Sequence, residues 1–177
     1  MNLRHTKFVS VLFLLLLSVG TQAQNRANHW YFGYNAGVDF NSGTPVAVTN
    51  GQLYTNEGCA TISDNGGNLL FYTDGVNVYN KTHQLMPNGT GLYGDSSSTH
   101  SAVIVPFPGS STLYYIFTVD VIRVFNRIVP TNGLQYSIVD MSLDGGMGDI
   151  STKNIQLISK TPEKVVAYKK SGSNDYW

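Results

Sequence analysis

Three stretches of the chain repeat one pattern, and that recurrence limits the folds open to it more than any other feature. "GCATISDNGGNLLFYTDG" (58–75) runs from an apolar segment through a turn cluster into an aromatic segment ending in Thr and Asp. "SAVIVPFPGSSTLYYIFTVD" (101–120) repeats the order, and "EKVVAYKKSGSNDYW" (163–177) begins it again, with Val165 aligned to Val103 and Trp177 to Tyr115. Apolar and aromatic runs of this length around Asn, Gly, Pro and Ser clusters read as β-hairpins, because those turn residues tolerate the positive φ or fixed φ that a tight reversal needs.

Between the copies lie further strand-like segments, "VNVYNKTHQLM", "GLQYSIVDMSL" and "KNIQLIS", so each unit offers about four strands. Ahead of the first copy, "HWYFGYNAGVDF" (29–40) and "TPVAVTN" (44–50) read as two strands joined by Asn41, Ser42 and Gly43. No amphipathic helix is visible. Four short antiparallel strands recurring every 40 to 60 residues or so is the signature of a β-propeller, whose blades must stack to bury both faces. A β-sandwich is the alternative fold. The third copy ends inside its aromatic strand, so the expected organisation is residues 24–177 as the N-terminal part of a propeller: entry strands, two blades and the start of a third.

"MNLRHTKFVSVLFLLLLSVGTQAQ" has basic Arg4 and Lys7, an apolar run from Phe8 to Leu17, and small residues at Thr21 and Ala23. That order predicts a Sec signal peptide over residues 1–23, and the run is short for a membrane span. The expected mature protein is exported, with no membrane span after cleavage. Lys plus Arg equals Asp plus Glu at 11 each, and 12% of residues are charged, which gives no field to collect nucleic acid. With Cys59 alone, no intramolecular disulfide is available and core packing must hold the fold. Cys59 itself reads as a small buried β residue.

Several motifs together resemble a known group. "NHWYFGYNAGVDFNSGTPVAVTNG", "TNEGCATISDNGGNLLFYTDGVNVYNKTHQLMPNGTGLYGD", "HSAVIVPFPGS" and "LQYSIVDMSLDGGMGDI" are similar to the N-terminal propeller region of large secreted Bacteroidetes proteins that end in a gliding-motility-associated, type IX secretion sorting domain. The resemblance implies a WD-repeat-like or quinoprotein-like propeller, secreted or held at the outer cell surface. It carries over no catalytic residues, and the sorting domain is absent from this sequence.

The candidate chemistry is sparse. "SDNGGNLL" lacks the alternating oxygen donors and later Glu of an EF-hand, and it leads into a strand where a phosphate loop needs a helix. "GDSSSTHSA" (94–102) places Asp95, Ser96, Ser97, Ser98 and His100 together, but no G-x-S-x-G elbow accompanies them, and a polar loop is the simpler reading. His29, His83 and His100, the mature histidines, have no ligand-spaced partners. Asp144 and Asp149 in "SLDGGMGDI" leave a loosely held Ca²⁺ open beside an ordinary loop. Asn80 and Asn88 head glycosylation sequons, which a bacterial host usually leaves idle. No catalytic, cofactor-binding or metal residue is nominated. Most of Trp30, Tyr31, Tyr72, Tyr79, Tyr114, Tyr115, Tyr136 and Trp177 are expected in the core, with loop-end aromatics such as Tyr93 free to stack on sugars or partner side chains. The expected function is a non-enzymatic adhesion or interaction module meeting a protein or glycan outside the cell. The alternative is a glycan-active or lyase-type enzyme on the same scaffold.

Overall fold

The computed structural model describes residues 25–122, 132–173 and 175–176. The segment 1–23, expected to be a signal peptide, lies outside them, as does Trp177. The chain is all-β, with three antiparallel sheets and two 3-10 turns, Asn25–Ala27 and Asp144–Gly146, among the described residues. The first sheet contains β1 (His29–Phe32), β2 (Ala36–Asp39) and β3 (Val46–Val48). The second contains β4 (Ala60–Ser63), β5 (Leu69–Thr73) and β6 (Val78–Asn80), with a bridge from Tyr79 to Leu85 supplying a fragment of a fourth strand. The third contains β7 (Ala102–Pro106), β8 (Leu113–Val119), β9 (Leu134–Asp140) and β10 (Asp149–Ile158). Each sheet is a meander in which sequence neighbours pair.

The repeat seen in the sequence is a repeat of register. Ala60 pairs with Thr73 in the second sheet, and Ala102 pairs with Thr118 in the third. The turn of the first copy is a three-residue loop: Gly67 N–H donates to Asp64 O, Asp64 N–H to Asn68 O, and Gly67 takes the left-handed φ of 88°. The loop is accompanied by a register shift between Ile62 and Ser63. Among the described residues the third copy makes one bridge, Lys169 to Tyr176, around its Ser-Gly-Ser turn.

Two further expectations change. "HWYFGYNAGVDF" is not one strand but a hairpin, because Gly33 and Asn35 both take positive φ and reverse the chain around Tyr34. The entry segment consequently forms a sheet of its own. No closed ring of sheets is formed by the described residues.

The sheets stack in series, with β1 against β4 and β4 against β7. The second sheet is thus covered on both faces, which explains why β5 reads as the nearly unbroken apolar run LLFYT. Toward the first sheet it presents Tyr72 and Leu69, which pack with Tyr31 and Leu53. Toward the third it presents Ile62, Phe71 and Val78, which join Ala102, Tyr114, Ile116, Val139 and Ile150 in the larger core. Thr61 ties the first interface, its hydroxyl accepting the Tyr31 N–H at 2.9 Å.

The second interface closes on Ser101. Its buried hydroxyl donates to Asp74 O at 2.6 Å and accepts the Asp95 N–H at 3.1 Å, joining the end of β5 to the segment that enters β7. Gly94 N–H donates to Gly75 O and Gly58 N–H to Ser98 O in the same knot. A Cβ on Gly75 would lie 2.1 Å from Ser101 Oγ, and its φ of 87° is already unfavourable for other residues. Gly75→Ala is therefore expected to cost at least about 2 kcal/mol in chemical denaturation. Gly109→Ala, at φ 79° with open space around it, should cost only about 1 kcal/mol. Equal losses at the two positions would show that the Ser101 contact has no role in stability.

Candidate binding surface

The acidic residues that invite a catalytic or metal reading are occupied by local backbone. Asp64 Oδ1 accepts the N–H groups of Gly66 and Asn68, and Oδ2 accepts Asn68 Nδ2. Burial pushes its carboxyl upward, but the bonds from Asn68 and the Gly66 and Gly67 amides outweigh that and hold it below the usual carboxylate range. Asp74 accepts the amides of Val76 and Asn77, Asp120 those of Val121 and Asn132, and Asp140 the Ser142 amide. Those at Asp64, Asp74 and Asp140 are Asx turns, Asp120 instead ties two segments of chain together, and all of them use carboxylates that a metal or an acid–base pair would need.

The "GDSSSTHSA" loop also resolves into structure. Asp95 Oδ1 accepts the Ser97 amide, and Ser98 is fully buried. His100 turns away from both. Its backbone N–H donates to Glu163 O, and its ring Nδ1 lies 3.0 Å from Val165 O, so it fastens the start of the third copy to the sheet before it. Asp149 bonds Asn88 Nδ2, and Asp144 sits in a 3-10 turn. Among the described residues no three His, Cys, Asp or Glu side chains gather where they would hold a metal ion. Asn80 is a buried turn former whose Oδ1 accepts from the Thr82 and Gln84 amides, so its sequon is not presented to solvent. Cys59 is half-buried, with burial and the Asp74 charge raising its thiol pKa, as suits a packing residue.

Two arrangements were invisible in the sequence. Ser63, His29 and Asp39 form a line, with Ser63 Oγ 3.1 Å from His29 Nδ1 and His29 Nε2 3.8 Å from Asp39 Oδ1. It resembles a hydrolase triad but is inverted in space. The serine is fully buried while the acid is at the surface, so no substrate carbonyl can reach the hydroxyl. The second arrangement is a polar seam between the first and second sheets. Tyr31 stacks on Tyr72 with centroids 4.6 Å apart, the Tyr31 hydroxyl donates to Asn50 Oδ1, and Asn50 Nδ2 lies 2.9 Å from His83 Nε2. With Nε2 accepting, His83 Nδ1 carries the proton and donates to the Tyr72 hydroxyl at 3.1 Å. Burial raises the Tyr72 phenol far above its ordinary range and lowers the His83 imidazole, so both stay neutral.

The accessible concave surfaces are elsewhere. The outer face of the third sheet presents Tyr115, Phe117 and Tyr136, with Tyr115 stacked on Phe107 at 4.7 Å. Residues 165–167 and Tyr176 partly cover this face, leaving an apolar groove of about 310 Å³ over Val103, Val105, Tyr115, Phe117 and Leu134. A wider cleft of about 840 Å³ opens at the hairpin-turn end, lined by Arg26, Asn65, Lys169, Tyr176 and the turn 106–111. The outer face of the first sheet adds exposed Trp30 and Phe32, and a T-shaped pair forms between Tyr34 and Tyr54, the latter 76% exposed. Tyr93 is also exposed, as expected of a loop-end aromatic, and Trp30, one of a set of aromatics of which most were expected in the core, lies on an uncovered sheet face.

No protein-family model, no curated protein and no solved structure matches the chain. Among the described residues no helix is long and apolar enough to cross a membrane.

The seam gives a pH prediction. Because the folded His83 titrates below its ordinary value of 6.5, the unfolded chain binds more protons as pH falls through that value, and stability is lost there. The thermal midpoint should therefore drop between pH 7 and pH 5, and His83→Gln should flatten that part of the profile. An unchanged slope in the variant would contradict the assignment of a neutral, hydrogen-bonded His83.

Proposed function

We propose that this chain is a non-enzymatic interaction module of an exported protein, built on the N-terminal part of a β-propeller and serving to bind a glycan or protein outside the cell. Support for the propeller over a two-sheet sandwich comes from the serial stack. Meander sheets follow one another along the chain, and the leading strands β1, β4 and β7 lie side by side. The apolar outer faces of the first and third sheets fit a stack that continues in both directions.

The observation that carries the functional reading is the chemistry of the accessible surface. The two concavities are lined by aromatic rings, hydroxyls, amides and two cations, with no carboxylate among their described lining residues. Asp64, Asp74 and Asp140 are held in turns. Glycosidases and lyases need carboxylates or bases converging on the substrate, whereas recognition needs flat apolar rings with polar groups beside them.

Affinity electrophoresis through gels containing a panel of polysaccharides, run beside an assay for released ends, separates the two classes of activity. The expected result is retardation by at least one polysaccharide with no new reducing ends or unsaturated products. Product release proportional to protein concentration would overturn the non-enzymatic reading.

A further inference from the structure

The hairpin-turn cleft combines features that point to a narrower class of ligand than the surface as a whole, and the following rests on the interaction-module reading. Arg26 and Lys169 both line it, and among the described residues neither forms an ion pair. Arg26 is held in place: its Nε donates to Asn65 Oδ1 at 2.8 Å, and its guanidinium lies against the Tyr114 hydroxyl, where it draws down a phenol that burial raises. A guanidinium held by Asn65 at a cleft with a second cation and, among the described lining residues, no carboxylate favours an anionic group there.

The rest of the lining says what bears the anion. Phe107 and Tyr176 supply aromatic rings, and Phe107 is braced by its stack on Tyr115. Ser110 Oγ accepts the amides of Thr112 and Leu113, which leaves its hydroxyl proton directed to another acceptor. Pro106 and Pro108 have no N–H, so this wall offers little backbone for an extended peptide to pair with. Rings, hydroxyl donors and cations in a cleft of about 840 Å³ match a sugar chain in shape and polarity. We infer that the cleft between Arg26 and Lys169 binds a saccharide carrying carboxylate or sulfate groups.

Calorimetric titration of the full chain at low salt tests this with four probes: a 1,4-linked tetragalacturonate, its carboxyl-reduced neutral counterpart, a sulfated form of that neutral tetramer, and tetraglutamate. At least one anionic saccharide is expected to bind ten-fold or more tighter than the neutral one, to weaken as salt rises, and to outcompete the peptide; the tighter of the two anions identifies the substituent. Lys169→Gln and Arg26→Gln should each reduce that affinity about five-fold or more. Lys169 is exposed, so its variant retains the fold even if loss of the Arg26–Asn65 bond does not leave Arg26→Gln intact. Equal binding of charged and neutral sugars, an unaffected Lys169→Gln, or preference for tetraglutamate would overturn the assignment while leaving the module reading intact. Binding to none of the four would overturn it too, and polysaccharide cleavage would remove the module reading instead.

Discussion

One serine hydroxyl joins the end of the second sheet's central strand to the segment that enters the third sheet. Ser101 Oγ is shared between Asp74 O, at the end of β5, and the Asp95 amide, in the segment leading to β7. Three glycines crowd around it, and at each of Gly58, Gly75 and Gly94 an added Cβ would fall within 2.5 Å of a Ser101 atom. Backbone can approach backbone this closely only where side chains are absent. The contact fixes where β7 begins relative to β5, and thereby brings Ile116 and Tyr114 onto Phe71, whose ring meets Tyr114 edge-on at 5.6 Å. With no disulfide available from Cys59, interfaces of this kind and the two core clusters hold the stack.

Serial stacking also explains which residues are polar and which are not. The second sheet is enclosed, so its strands carry apolar side chains on both faces, while β10, at the edge of the third sheet, reads DISTKNIQLI with exposed positions over its second half. Aspartates recur at strand ends because a carboxylate can accept two amides that the sheet leaves unpaired as the chain reverses. This makes the acids structural. The concave surface that remains is accordingly aromatic, hydroxylic and locally cationic despite a net charge of zero.

Much of the framework was legible in the sequence. The hairpin at 58–75 announced itself because Asp64, Gly66 and Gly67 are turn residues between two runs of β-formers, and the copy at 101–120 repeated the signal with Pro and Ser. The reversal at Gly33 and Asn35 was obscured because Tyr34, an aromatic β-former, sits at its centre and lets His29 to Phe40 read as continuous. The polar seam from Tyr31 through Asn50 to His83, and the line from Ser63 to Asp39, join residues far apart in the chain, so no local spacing reports them. Arg26 gave no signal for a similar reason. It stands alone just before β1, and its setting comes from Asn65 and Tyr114, which two different hairpins supply.

The central claim is that the sheets form one stack locked at Ser101, and native-state hydrogen exchange tests it most directly. The amides of Gly58 and Gly94, which bridge the second sheet and the segment entering the third, should exchange as slowly as those of Phe71 in β5 and Ile116 in β8, with the same dependence on denaturant. Exchange of the bridging amides well ahead of both strands would mean that the sheets part independently, and would contradict the account.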